Sequence, residues 1–315
     1  MRVFLTVIFL LLTGLYLSSP AAASSRSRGH AAGPGHRLAA APGNRLTAAP
    51  GNRLAAAPAP PRQVQDTAGK SDATFCSGIR NTAFNAGEVL TYRVYYAVAG
   101  AYIAAGEASF TTTLERFDHK DVYHVVGEGK TFPFEDKFFR VRDRYESYID
   151  TATLQPYKFI RDVDEGGYKT KENVTFLKAA NTAITNTGVY KVPDCIQDVL
   201  SAIFYARNID FSKHKVGDKI PFDMFLDRQV YHLYIRYLGK ETIRTKYAKF
   251  RTIKFRPLLV KGTMFEGGEK MTVWVSDDPN HIAVRIESPI TVGKVSVDMS
   301  YYRNLRYPLS SLVDL

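Results

Sequence analysis

Five stretches of this chain alternate apolar and polar residues with a period of two: residues 88–96 (EVLTYRVYY), 107–111, 122–126, 157–161 and 173–176. They are rich in Val, Ile, Thr, Tyr and Phe and are broken by Gly- or Asp-containing segments, the pattern of antiparallel strands with one face on a core. Glu165-Gly166-Gly167 and Glu266-Gly267-Gly268 supply the positive φ that hairpin tips need. The expected fold is all-β and mainly antiparallel.

Residues 193–207 (PDCIQDVLSAIFYAR) break the period. Ile196, Val199, Leu200, Ile203 and Phe204 recur at helical spacing behind Asp194, a suitable N-cap, so a helix over 194–207 is expected to lie on the sheet as a plug or lid. It divides the strands into halves that echo each other. Residues 145–150, a turn, Phe159-Ile160 and Gly167 before Val174-Thr175-Phe176 parallel residues 271–276, a turn, Val284-Arg285-Ile286 and Gly293 before Val295-Ser296-Val297. Gly87-Glu88 and Gly217-Asp218 open the two halves. A curved, pseudo-duplicated sheet or half-open barrel with one central connecting helix follows.

Upstream, residues 1–23 carry Arg2, an apolar run from Val3 to Tyr16, and Ala21 and Ala23 before Ser24. This is the pattern of a secretory signal peptide, and the apolar run is short for a membrane span. Residues 24–75 are rich in Ala, Pro, Gly and Arg and repeat every eight residues, as in NRLTAAPG and NRLAAAP. Too few large apolar side chains occur there to offset ordering entropy, so a disordered tether is expected, followed by one β-rich domain at 76–315. The expected location is periplasmic or secreted.

The net charge of +11 is unevenly spread. Residues 1–75 hold eight Lys or Arg and two Asp, a charge of +6, leaving +5 for the rest. With no nucleic-acid motif, DNA or RNA as a partner is disfavoured, while attraction to anionic lipid or polysaccharide, and so peripheral membrane contact, stays open. Cys76 and Cys195 are the only cysteines; in an oxidising compartment a structural disulfide between them is the first expectation. The rival reading is a reactive Cys195 thiol at a helix N-terminus.

No catalytic constellation emerges. YHVVGEGKT at 123–131 ends like a phosphate-binding loop, but His124 stands where the motif needs Gly and an aromatic, strand-like run follows instead of a helix. Neither nucleotide nor another cofactor is expected. The seven His show no metal-ligand spacing, no Gly-x-Ser-x-Gly elbow occurs, and Asp162/Asp164 and Asp277-Asp278 sit beside turns.

The set Gly87-Glu88-x-Leu90-x-Tyr92, Tyr148-Ile149-Asp150, residues 198–207 (DVLSAIFYAR) and Met271-x-Val273-Trp274-Val275-Ser276 resembles the bacterial domain-of-unknown-function family 3108, especially its exported Bacteroidetes-type members. The resemblance spans residues 76–306 and implies an envelope protein without an assigned activity. The strand-turn-strand pairs are also similar, at the level of architecture, to periplasmic lipoprotein carriers of the LolA and LolB type.

Two surfaces are candidates for binding. In a strand, Arg140, Arg142 and Arg144 share a face, forming either an ordinary solvated ladder or a rim for anionic headgroups together with Arg236 and Arg251. The nineteen Tyr and nineteen Phe suit either a packed core or a groove for acyl chains. The reading that joins these features is a non-catalytic envelope protein binding a lipid-like ligand on the concave side of its sheet. The alternatives are an interaction protein with a filled interior that binds protein or polysaccharide, and a glycan-active enzyme with facing carboxylates.

Overall fold

The computed structural model describes residues 79–98, 101–259, 268–290 and 293–314. The signal peptide at 1–23, the tether at 24–75 and the hairpin tip at Glu266-Gly267 fall outside these residues. The period-two runs are strands as expected. The first half is a meander: β1 (Val89–Val98), β2 (Ala101–Phe117), β3 (Lys120–Thr131), β4 (Val141–Asp150), β5 (Pro156–Glu165), β6 (Tyr168–Leu177) and the short hairpin β7 (Thr182–Thr185) and β8 (Gly188–Lys191). After the helix α1 (Val199–Ala206) comes a second meander: β9 (Lys219–Leu226), β10 (Gln229–Arg244), β11 (Lys249–Pro257), β12 (Thr272–Ser276), β13 (Ala283–Pro289) and β14 (Lys294–Arg303), with β15 (Leu312–Asp314) added to β11.

All strands form one curved antiparallel sheet in the order β8-β7-β6-β5-β4-β3-β2-β1-β14-β13-β12-β11-β10-β9. The first described strand, β1, lies in the middle of the sheet; from it the chain winds out to one edge, crosses through α1 to the other edge, and winds back until β14 meets β1. The duplication inferred from sequence is visible here as two six-strand meanders, β1–β6 and β9–β14. Repeating the central seam on the far side would pair β6 with β9 and close a barrel. Instead β6 pairs with β7, and the edge of β9 is met by the approach to α1: Gln197 N donates to Asp223 O at 2.9 Å and Phe225 N to Gln197 O at 2.8 Å.

Side-chain alternation follows the pleat. In β4, Val141, Asp143, Tyr145, Ser147 and Ile149 are buried while the residues between them are at least partly exposed. The tip Gly166-Gly167 has φ of 55° and 92°, and a Cβ on Gly166 would run into the Phe139 ring, so glycine is required there. Residues 123–131 lie within β3, so the glycines of YHVVGEGKT pair with Tyr145 and Asp143 of β4 instead of forming a loop.

The helix is shorter than its sequence pattern indicates. It starts at Val199, capped by Asp198, whose carboxylate accepts from Leu200 N at 2.7 Å and Ser201 N at 2.8 Å while Ser201 Oγ accepts from Asp198 N. The expected cap, Asp194, and Cys195 lie in the preceding turn, where Cys195 has φ of 65°. The reason is Gln197: its backbone is committed to β9 and cannot join a helix. The premise for a reactive Cys195, a place at a helix N-terminus, therefore falls away. The Cys76–Cys195 pairing itself lies outside the described residues, because Cys76 does.

Candidate functional site

The site is built around α1. Six of its eight residues are buried: Val199, Leu200, Ser201, Ala202, Phe204 and Tyr205. A helix covered on nearly all sides is a core element. Its first turn is fastened to β4, where Ser147 Oγ donates to Asp198 Oδ2 at 2.6 Å. Burial pushes the Asp198 carboxyl up to about 7, against the hydrogen bonds from Ser147, Ser201 and Leu200.

The other end of α1 is held by a buried ion pair. Arg207 donates from Nη1 to Glu88 Oε1 at 2.5 Å, from Nη2 to Glu88 Oε2 at 2.9 Å and from Nε to the Asn280 carbonyl at 3.0 Å. Its guanidinium also lies over the rings of Phe84 and Phe204. His281 Nδ1 meets the Arg207 carbonyl at 2.7 Å. The first strand, the end of the helix and the β12–β13 turn are thereby tied at one point.

Between α1 and the sheet, against β1, β2 and the strands of the second half, lies a partly open cavity of about 120 Å³. Ala202, Ile203 and Ala206 form the helix side; Phe222, Phe255, Val273 and Val275 are among the residues on the sheet side. The two helix residues left partly uncovered, Ile203 and Ala206, are both in this wall. Its polar margin consists of Arg207, His281 and Tyr92. The cavity is somewhat smaller than the ~150 Å³ one that accepts benzene in an engineered core, so it holds roughly five carbon atoms. It suits the end of a chain.

The first-half side carries a buried ionic cluster. Arg161 of β5 pairs with Glu172 of β6 at 3.0 Å and with Asp227 in the β9–β10 turn. Phe225 of β9 meets Phe176 of β6 at 6.1 Å. These contacts join β5 and β6 to β9 and the β9–β10 turn without strand pairing. Nearby, Asp143 is held up to about 9 by burial and by its neighbour Glu165.

This carboxyl gives a pH-dependent expectation. The folded state binds the Asp143 proton more tightly than the unfolded chain, whose ordinary value is about 3.9. Asp143 therefore favours the folded state at low pH, and that contribution is lost as pH rises from about 4 through about 9. Asp143→Asn should gain on the wild type progressively between pH 5 and pH 9 in urea-unfolding midpoints. Midpoints that stay parallel over this range would refute the assignment.

The arginines singled out in the sequence lie on the outer face. Arg140 pairs with Asp164 at 2.7 Å, Arg142 with Asp136 at 2.6 Å, and Arg144 with Glu128 at 2.6 Å and Glu146 at 2.8 Å. Arg236 forms two bonds to Glu269, which it draws down to about 2, and Arg251 donates to the Ser310 carbonyl at 2.6 Å. Along the hydrogen-bonded order at least six strands separate β4 from β10 and β11. Each already has an acceptor, as an ordinary solvated face would provide. Sequence reasoning did not single out His281 or Tyr92 as lining residues, because only the folded chain brings them beside Arg207.

A continuous antiparallel sheet curled about one buried helix defines the class of fold. A family model described as a protein of unknown function (DUF3108) matches residues 91–300, and the chain belongs to that family. No curated protein matches it. Among solved structures, it is similar to a β-barrel-like protein of the DUF1849 family from Brucella abortus, with 7% identity over 70% of this chain and 99% of that one and a TM-score of 0.49. It is also similar to a protein described as exported, with a YmcC-like fold, from Bacteroides fragilis (12% identity, 70% and 97% coverage, TM-score 0.28). A third is a protein described as a lipoprotein from Parabacteroides distasonis (13% identity, 71% and 100% coverage, TM-score 0.32).

Proposed function

We propose that this is a non-catalytic protein of the cell envelope that binds the apolar end of a lipid-like molecule between α1 and the sheet. The observation that carries the reading is the apolar cavity beneath the partly uncovered Ile203 and Ala206. Burying roughly five methylene groups at about 0.8 kcal/mol each gives about 4 kcal/mol, a dissociation constant near 1 mM. A natural ligand would therefore add contacts beyond the cavity. The signal-peptide pattern at 1–23 supports an exported location, and the Cys76–Cys195 disulfide belongs to the same proposal.

The test uses 1-octanol in a ligand-observed NMR titration. Ala206→Leu combined with Ala283→Leu fills the cavity from both walls and is expected to weaken octanol binding at least tenfold while the unfolding transition stays cooperative. Equal binding by the filled and open proteins, or no saturable binding by the wild type, would defeat the proposal. The filled-interior alternative predicts that second result.

A further inference from the structure

The polar margin of the cavity narrows the class of ligand. A backbone carbonyl can only accept, so the bond of His281 to the Arg207 carbonyl places the imidazole proton on Nδ1. Burial lowers the pKa of the ring, which keeps it neutral near pH 7. Nε2 is then a lone-pair acceptor, and no described residue donates to it. Phe211 meets the ring edge-on at 5.7 Å and helps fix its plane.

Tyr92 supplies a second polar group. Its side chain is largely buried and lines the cavity. The adjacent guanidinium offers little to an anion, since Glu88 neutralises it and already takes two of its N–H groups. The cavity thus presents an acceptor, a hydroxyl and no uncompensated positive charge.

We propose that the cavity selects neutral amphiphiles carrying a hydrogen-bond donor, a hydroxyl above all, with that donor on His281 Nε2 and the chain along the sheet wall. This rests on the binding reading above and specifies its ligand. An ionised carboxylate would place a second acceptor against Nε2 and meet no free cation. An ether would fit the chain but leave Nε2 unpaired.

The experiment compares 1-octanol, octyl methyl ether and octanoate at pH 7.5 by the same NMR titration, on the wild type and on His281→Phe. Octanol is expected to bind about fivefold to tenfold more tightly than the ether, the worth of one neutral hydrogen bond, and octanoate more weakly than both. In His281→Phe, which keeps an aromatic ring beside Phe211, octanol and ether should become equal. Octanoate binding as well as octanol, or a wild type that does not distinguish octanol from ether, would overturn the donor rule while leaving the cavity a binding site. If none of the three binds the wild type, the binding reading falls and this inference with it. The wild-type panel decides the matter even if His281→Phe does not fold.

Discussion

Replacing Arg207 by Met is expected to lower the unfolding free energy by about 3–5 kcal/mol, because it leaves the Glu88 carboxylate buried without its partner. Glu88 is only 1% exposed, and water cannot stand in for the guanidinium without opening the site. The variant also loses the cation stacked on Phe84 and Phe204 and the donor to the Asn280 carbonyl. The double change Glu88→Leu with Arg207→Met should recover most of the loss, since a pair replaced by apolar groups no longer strands a charge. Urea unfolding followed by near-ultraviolet dichroism measures both. A single variant within about 1 kcal/mol of the wild type would show that the pair is not what seats the helix.

An effect of similar size is expected for Arg161→Leu. Arg161 is the shared cation between Glu172 and Asp227, and each of the three is less than 10% exposed. Removing it leaves two carboxylates facing each other inside the protein, again a loss of about 3–5 kcal/mol. The loss should depend on pH. Burial already holds Glu172 above the usual carboxylate range, and without the arginine it would take up a proton still more readily. A group whose folded pKa is raised favours the folded state at low pH and loses that contribution as pH rises. Arg161→Leu should therefore fall further below the wild type at pH 8 than at pH 5. A deficit that is the same at both, measured by urea midpoints, would contradict the role given to the cluster.

Most of the sheet was legible because period-two alternation reports directly on which side of a strand is buried, as β4 shows. The duplication was legible for the same reason, as two matching runs of strands. The helix start was misjudged because Asp194 and Asp198 are equally good caps as residue types. Only the backbone bonds of Gln197 to β9 decide between them. Four of the residues behind the family resemblance, Glu88, Asp198, Ser201 and Arg207, fasten the helix at its two ends. The site was less legible. Arginines alternating along a strand disclose their shared face, but their carboxylate partners come from other strands. The cavity margin joins Tyr92, Arg207 and His281, residues far apart in sequence that no local pattern connects.

The seam between β1 and β14 has a consequence for how the molecule is made. Its partners are about 200 residues apart along the chain, so its formation closes the largest loop in the sheet, a slow event of high contact order. Until β14 arrives, the inner edge of each half is a row of unpaired N–H and C=O groups in a strand of ten residues. Two incomplete molecules can satisfy those edges reciprocally, β1 of one with β14 of the other, in the register used within a single chain. The contact that completes the monomer is also the one through which a crowded, half-folded population would exchange halves.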